Sequence, residues 1–189
     1  MDIRELLERN RSVRRFDGAR RIGYDTLKGL AELVRYCASG RNIQPLKYRI
    51  VCTPEECAEV YPHLKWAGYY ADWDGPEPSE RPVAYLVQCL DTSIARDCLC
   101  DDGLQLEAIT LAATEKGIGG CIIKAFNPKR IAEALALPEA MEARYVLALG
   151  YPAERVEIVE LDENAPEGYK YFRREDGTHC VPKRGSFII

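Results

Sequence analysis

The sequence predicts an α+β domain, and three observations carry the prediction. Helical and strand patterns follow one another along the whole chain. No linker rich in proline, glycine or serine divides it, so residues 1–189 read as one domain, long enough for a substantial core. A long helical stretch over 101–116 is apolar on more than one face, which marks either a central core helix or a helix at a subunit interface.

The elements follow in order. Residues 2–9 read as a short helix that runs into the basic stretch Arg9-Asn10-Arg11-Ser12-Val13-Arg14-Arg15-Phe16-Asp17. A second helix fits 25–37, with Leu27, Leu30, Ala31, Val34 and Cys37 at helical spacing and Asp25 as its cap. A polar loop from Ser39 to Pro45 comes next, then a strand over 48–52, and Pro54-Glu55-Glu56 opens a short helix. The stretch from Pro62 to Pro82 is the least regular. It holds Trp66, Tyr69, Tyr70 and Trp73 among several glycines and prolines, and reads either as a surface loop pinned by its own aromatics or as a lid over a flat ligand. Val83–Leu90 is a buried strand. Asp101-Asp102 start the long helix, which Gly117 stops. One stripe of that helix is Leu104, Ala108, Leu111 and Ala112, and another is Leu106, Ile109 and Ala113. A glycine-punctuated strand over 117–123 leads to Asn127-Pro128, which cap and begin a helix to about Leu137. Strands over 145–150 and 156–161 follow. In the tail from Tyr169 to Ile189, the turn Glu175-Asp176-Gly177 suggests a hairpin.

Composition narrows the function. The chain is 47% hydrophobic and 30% charged, with a net charge of −4, which argues against sequence-independent nucleic-acid binding. The start is charged and lacks the apolar region of a secretory signal, and no apolar run reaches the length of a membrane span. A cytoplasmic protein is expected, its eight cysteines reduced. Cys37, Cys52, Cys89 and Cys121 lie in apolar runs, where cysteine behaves as a small hydrophobe. Cys98 and Cys100 form C-x-C and His179 adjoins Cys180, but there is no C-x-x-C pair and only two histidines, so no metal centre is expected. No Ser-His-Asp order or catalytic dyad stands out, so no side chain is assigned a catalytic role.

Three short motifs carry chemistry. Asn42 and Gln44 offer amide donors and acceptors suited to the edge of a planar heteroaromatic ring. Arg11-Ser12-Val13-Arg14 and Pro182-Lys183-Arg184-Gly185 combine cations with a hydroxyl or a glycine, a mixture that suits a phosphate. Each motif alone reads first as a solvated face or a helix end. Together they describe the two ends of a nucleotide-like ligand.

At these positions the chain resembles the FMN-dependent nitroreductases. The family's opening signature, similar to Arg-Arg-Ser-x-Arg-x-Phe, is matched by Arg11-Ser12-Val13-Arg14-Arg15-Phe16. Its second, Ser-x-x-Asn-x-Gln-Pro-Trp, is matched by Ser39, Asn42, Gln44 and Pro45. Gly-Leu-Gly-x-Cys followed by Gly-Gly-Phe resembles Gly117-Ile118-Gly119-Gly120-Cys121 and Lys124-Ala125-Phe126, and the closing basic motif resembles Pro182-Lys183-Arg184. The order and spacing agree over essentially the whole chain.

The resemblance implies a central, mostly antiparallel sheet flanked by helices, and a homodimer with the long helix at its interface and FMN between the subunits. It implies that Arg11, Ser12 and Arg14 with Lys183 and Arg184 hold the ribityl phosphate, through charge-assisted bonds of roughly 1.5–3 kcal/mol each. Ser39, Asn42 and Gln44, supplied by the second subunit, would touch the ribityl chain and the isoalloxazine. The backbone around Lys124 and Ala125 would donate an N–H to the reactive ring nitrogen. Three departures from the family pattern stand out: Asn10 replaces an arginine, Leu46 a tryptophan, and Lys124-Ala125 the pair Gly-Gly. Lys124 would either steady the charge of reduced flavin or contribute only its backbone. The chain is short for the family, which leaves 62–82 as the expected lid.

The implied activity is passage of hydride from NADH or NADPH through FMN to an electron-poor small molecule, a nitroaromatic, quinone or similar. The cofactor carries the chemistry, and the protein supplies orientation and electrostatics. Nucleic acid and membrane are not expected partners. Two alternatives stay open: an FMN-binding carrier or sensor with little nicotinamide turnover, and a flavin-free scaffold whose basic motifs are surface charge.

Overall fold

Local chemistry starts most of the helices in the computed structural model, which describes residues 2–187. Helix α1, Ile3–Arg9, begins with a capping box in which Asp2 accepts from the Glu5 N–H and Glu5 reaches back to Asp2. Helix α2, Tyr24–Glu32, buries Leu27 and Leu30. The expected cap at Asp25 is corrected: Gly23 is the N-cap, and Asp25 lies inside the first turn, where the helix dipole favours a carboxylate. The expected helix over 25–37 stops at Glu32 and tightens into a 3-10 turn, Leu33–Tyr36. Strand β1 is Leu46–Val51, and helix α3, Pro54–Val60, is capped by the Thr53 hydroxyl, which accepts from the Glu56 N–H.

Strand β2, Ala84–Asp91, is buried along its length. Helix α4 runs over Asp101–Glu115 and strand β3 over Gly119–Ile123, with Gly117 at φ 73° forming the turn between them. Helix α5, Pro128–Ala134, is capped by Asn127, and strand β4, Met141–Gly150, starts four residues before the expected strand at 145. Strands β5, Val156–Glu160, β6, Phe172–Arg173, and β7, His179–Lys183, complete the chain. Met1 and the last two residues of the predicted tail, 188 and 189, lie outside the described residues.

The central sheet has the order β1-β2-β4-β3, and every pair in it is antiparallel. Side chains alternate across it with a period of two. Ala84 and Leu86 of β2, with Leu147 and Leu149 of β4, face Leu27 and Leu30 of α2 and Leu106, Ile109 and Ala113 of α4. Tyr85, Val87 and Cys89, with Val146 and Ala148, face Val60, Trp66, Ile131 and Leu135 on the α3 and α5 side. Helices therefore cover both faces. The second stripe of α4 is left partly open: Leu104 is 46% exposed, and Ala108 and Leu111 are half-buried.

A second sheet has the order β5-β7-β6, with β5 and β7 parallel and β6–β7 an antiparallel hairpin. The hairpin turn is the expected one at Glu175–Gly177, where Asp176 accepts from the Thr178 N–H and Gly177 has φ 85°. The N-terminal basic segment joins the two sheets. The Val13 N–H donates to the Gly120 carbonyl at 3.0 Å, and the Ala153 N–H donates to the Arg15 carbonyl at 2.9 Å. Phe16 is fully buried, its ring so close over Gly150 that an added Cβ there would sit 2.8 Å from it.

Candidate functional site

Two of the sequence motifs meet along β3. Ser12 bridges to Gly120 in parallel register, beside the start of the strand, and Lys124 and Ala125 follow its end. The span from Gly120 to Lys124 is about 13 Å at the usual strand rise. Ser12 is exposed. Arg11 Nη2 donates to the Leu7 carbonyl at 2.6 Å, while its Nε is buried without a partner. Burial pulls this guanidinium below its ordinary value, and Glu107 opposes the shift. Asn10, where the family pattern has an arginine, pins the segment to α4 by donating to Glu107 at 3.2 Å and Thr110 at 2.9 Å.

At the other end of β3, the Ala125 carbonyl accepts from the Lys65 N–H at 2.9 Å, within the antiparallel bridge of Leu64 to Phe126. Among the described residues the Ala125 N–H meets no acceptor. It opens beside a groove of about 1130 Å³ with Leu64, Lys65, Phe126, Asn127 and Glu142 among its lining. The Lys124 ammonium is turned back onto β4: Nζ donates to the Arg144 carbonyl at 3.0 Å and lies 4.3 Å from the Tyr145 ring centroid.

The amide loop is built on a buried carboxylate. Asp101, 1% exposed in the first turn of α4, accepts from Ser39 Oγ at 2.6 Å and from the Gly40 N–H at 2.8 Å. Ser39 Oγ in turn accepts from the Gln44 N–H at 2.9 Å, and Gln44 Nε2 donates to the Asn42 side chain at 3.0 Å. Arg41, Asn42 and Gln44 all sit at positive φ, of 55°, 58° and 54°, a conformation that costs energy for residues other than glycine. Ser39 and Gln44 edge a second groove of about 520 Å³ with Cys37, Lys47 and Gln105. Asp101→Ala should free the loop, because hydrogen bonds to an ionised group contribute about 1.5–3 kcal/mol. Amide exchange at Gly40 and Gln44 should speed up by about tenfold or more, and unchanged protection would place the anchor elsewhere.

Of the remaining predicted residues, Arg14 follows Ser12 by two positions on the same segment and lies near Cys121 of β3, whereas Lys183 and Arg184 stand apart at the end of β7. The Arg14 guanidinium turns to the second sheet, where Nη1 lies 3.0 Å from His179 Nε2 and Cζ 4.5 Å from the Tyr171 ring centroid. Lys183 and Arg184 stand at the opposite end of β7 from His179, about 13 Å along the strand. There the Lys183 carbonyl accepts from the Leu161 N–H and Arg184 Nη1 donates to Glu163 at 2.6 Å. The 62–82 aromatics divide: Trp66 joins the core, while Tyr69 and Tyr70 dock on Tyr171 of the tail.

The pairings of three residues in this architecture escape sequence reasoning. Asp101 is visible only as a helix start, His179 only as the neighbour of Cys180 and Tyr70 only as a loop aromatic; the contacts that join His179 to Arg14 and to Tyr70 span 165 and 109 positions. Among the described residues no group of three or more His, Cys, Asp or Glu side chains could hold a metal, and no helix is long and apolar enough to cross a membrane.

No protein-family model matches the sequence, and a search of curated proteins finds no match. Solved structures do match. A nitroreductase family protein from Clostridium novyi NT superposes with a TM-score of 0.68 at 21% identity, covering 99% of this chain and 97% of its own. CLA-ER, an enone reductase of gut-bacterial fatty acid saturation, gives 0.68 at 17% identity, covering 82% and 90%. A protein described as a nitroreductase, in complex with FMN, from Exiguobacterium sibiricum 255-15 gives 0.65 at 16% identity, covering 82% and 90%. The likeness is one of fold: mixed helices around an antiparallel sheet, as in nitroreductase family proteins.

Proposed function

We propose that this nitroreductase-fold chain is an FMN-dependent oxidoreductase that passes hydride from NADH or NADPH to an electron-poor small molecule, and that it works as a homodimer. The observation that carries the reading is the open Ala125 N–H beside the groove, at the end of a strand whose start is flanked by Arg11 and Ser12. The residues present fit the cofactor. The buried, unpartnered Arg11 Nε and the exposed Ser12 are donors that a phosphate would satisfy, and the Ala125 N–H would bond to a ring nitrogen and favour its reduced, more basic form. When bound, FMN would supply the hydride-accepting ring, and the protein would orient it and shape what approaches.

The α4 stripe of Leu104, Ala108 and Leu111 would be covered in the dimer, which also brings the amide loop of a second subunit toward the ring. Reduction of an enone by one structural neighbour and the nitroreductase naming of others support an electron-poor acceptor.

The test is a visible absorption spectrum of the purified protein incubated with FMN, repeated after anaerobic addition of NADH or NADPH. A flavin band that travels with the protein and bleaches is the expected result. A bound band that persists would remove the nicotinamide half-reaction and leave a flavin carrier. No bound flavin would overturn the reading.

A further inference from the structure

His179 is 1% exposed, and both of its ring nitrogens are engaged. Nε2 faces Arg14 Nη1 at 3.0 Å, and Nδ1 faces the Tyr70 hydroxyl. A guanidinium has no acceptor and keeps its proton, so Nε2 must accept from it. The imidazole is then neutral, carries its proton on Nδ1 and donates it to the Tyr70 oxygen. The charged surroundings hold it there: Arg14 on one side, and Arg173, whose Cζ lies 5.4 Å from the Tyr70 ring centroid, on the other. Glu154, a carboxylate with a buried side chain that Arg14 and Arg173 share, is already committed. Its Oε1 accepts from the Arg14 and Arg15 N–H groups and its Oε2 from Arg173 Nη2 at 3.2 Å.

Arg14 is thus gripped by its backbone, by the Tyr171 ring against its guanidinium, and by His179 at one terminal nitrogen. Among the described residues its Nε and Nη2 have no acceptor. We infer that His179, fixed in turn by Tyr70, is a positioning residue that holds Arg14 by a single N–H and leaves its other donors for the flavin phosphate. The inference rests on the FMN reading above. Burial and the two arginines push the His179 pKa down to about 4, so the accepting form prevails at neutral pH.

The experiment combines two readouts on the whole protein. The first is nitrogen NMR of the flavin-free protein, in which His179 should show a protonated Nδ1 and an unprotonated Nε2; a protonated Nε2 overturns the inference. The second is FMN affinity. His179→Leu should raise the Kd about tenfold or more, the loss of one held charge-assisted contact. His179→Gln, whose amide oxygen can accept from Arg14, should stay within about threefold of the parent. Between pH 6.5 and 4 the parent should lose affinity more steeply than His179→Gln; the phosphate's own titration near pH ~6 is common to both. Tyr70→Phe, which removes the partner of Nδ1 with little loss of volume, covers the case in which His179→Leu fails to fold, and should weaken binding about threefold. Parent binding with unchanged affinity in His179→Leu or, should that variant not fold, in Tyr70→Phe overturns this inference alone. Absence of FMN binding by the parent overturns it together with the FMN reading.

Discussion

Phe16→Ala should destabilise the fold by about 3–5 kcal/mol, the usual cost of emptying a fully buried aromatic site. In a chain of this size that lowers the melting temperature by roughly 10 °C. The cause is particular to the site. Phe16 fills the space that Gly150 leaves open, and its N–H donates to the Glu80 carbonyl at 2.9 Å. The backbone on either side is fixed, through Val13 to Gly120 of β3 and through Arg15 to Ala153 in the connection after β4, so the segment cannot slide to refill the cavity. Denaturant titration is the direct measurement. A loss below about 1 kcal/mol would mean that Tyr151 or Val13 collapses into the space and that Phe16 is not the anchor.

Acidification should produce the second large effect. The unfolded chain takes up a proton on His179 near pH 6.5, whereas the folded chain, with this imidazole buried between Arg14 and Arg173, takes it up only near 4. Between those values the unfolded state binds more protons, so stability is fully present above pH 6.5 and declines as the pH falls toward 4. The difference amounts to at most about 3 kcal/mol, since each unit is worth about 1.4 kcal/mol. His179→Gln removes the titrating group, and its stability should be flatter over the same window. Parallel curves for the two proteins would show that His179 titrates normally in the fold.

What the sequence reveals of this molecule follows the range of the interactions. Asn127-Pro128 announces α5 because capping is settled within one turn, and the hairpin turn at Asp176-Gly177 is equally local. Strand β2 is legible because both of its faces are covered and it reads as an apolar run that only Gln88 interrupts before Asp91 ends it. Strand β4 is longer than its apolar stretch because Glu142 and Arg144 interrupt the pattern and pair with each other, while a bulge between Gln88 and Cys89 keeps the register with β2. Asp25 looks like a cap because its side chain suits the role, yet the helix starts one residue earlier, at Tyr24 after Gly23. Ser39 and Gln44 are visible as a polar loop, but the carboxylate that shapes them comes from Asp101, 62 positions away from Ser39. No local pattern can report such a pairing, and the same holds for Arg14 and His179.

The N-terminal basic segment has a consequence for the order in which the molecule is made. Its anchors lie on β3 and just beyond β4, and the Arg14 backbone reaches Glu154 across 140 positions. Closing so long a loop carries a large entropic cost before any contact repays it, and contacts of this kind form late. During synthesis the segment leaves the ribosome before Gly120, Ala153 and Glu154, and waits for them to follow. Until then Phe16 and Val13 are exposed apolar side chains beside a run of arginines, a combination that a chaperone can grip. The part of the chain with the strongest chemical signature is therefore the last to acquire its shape.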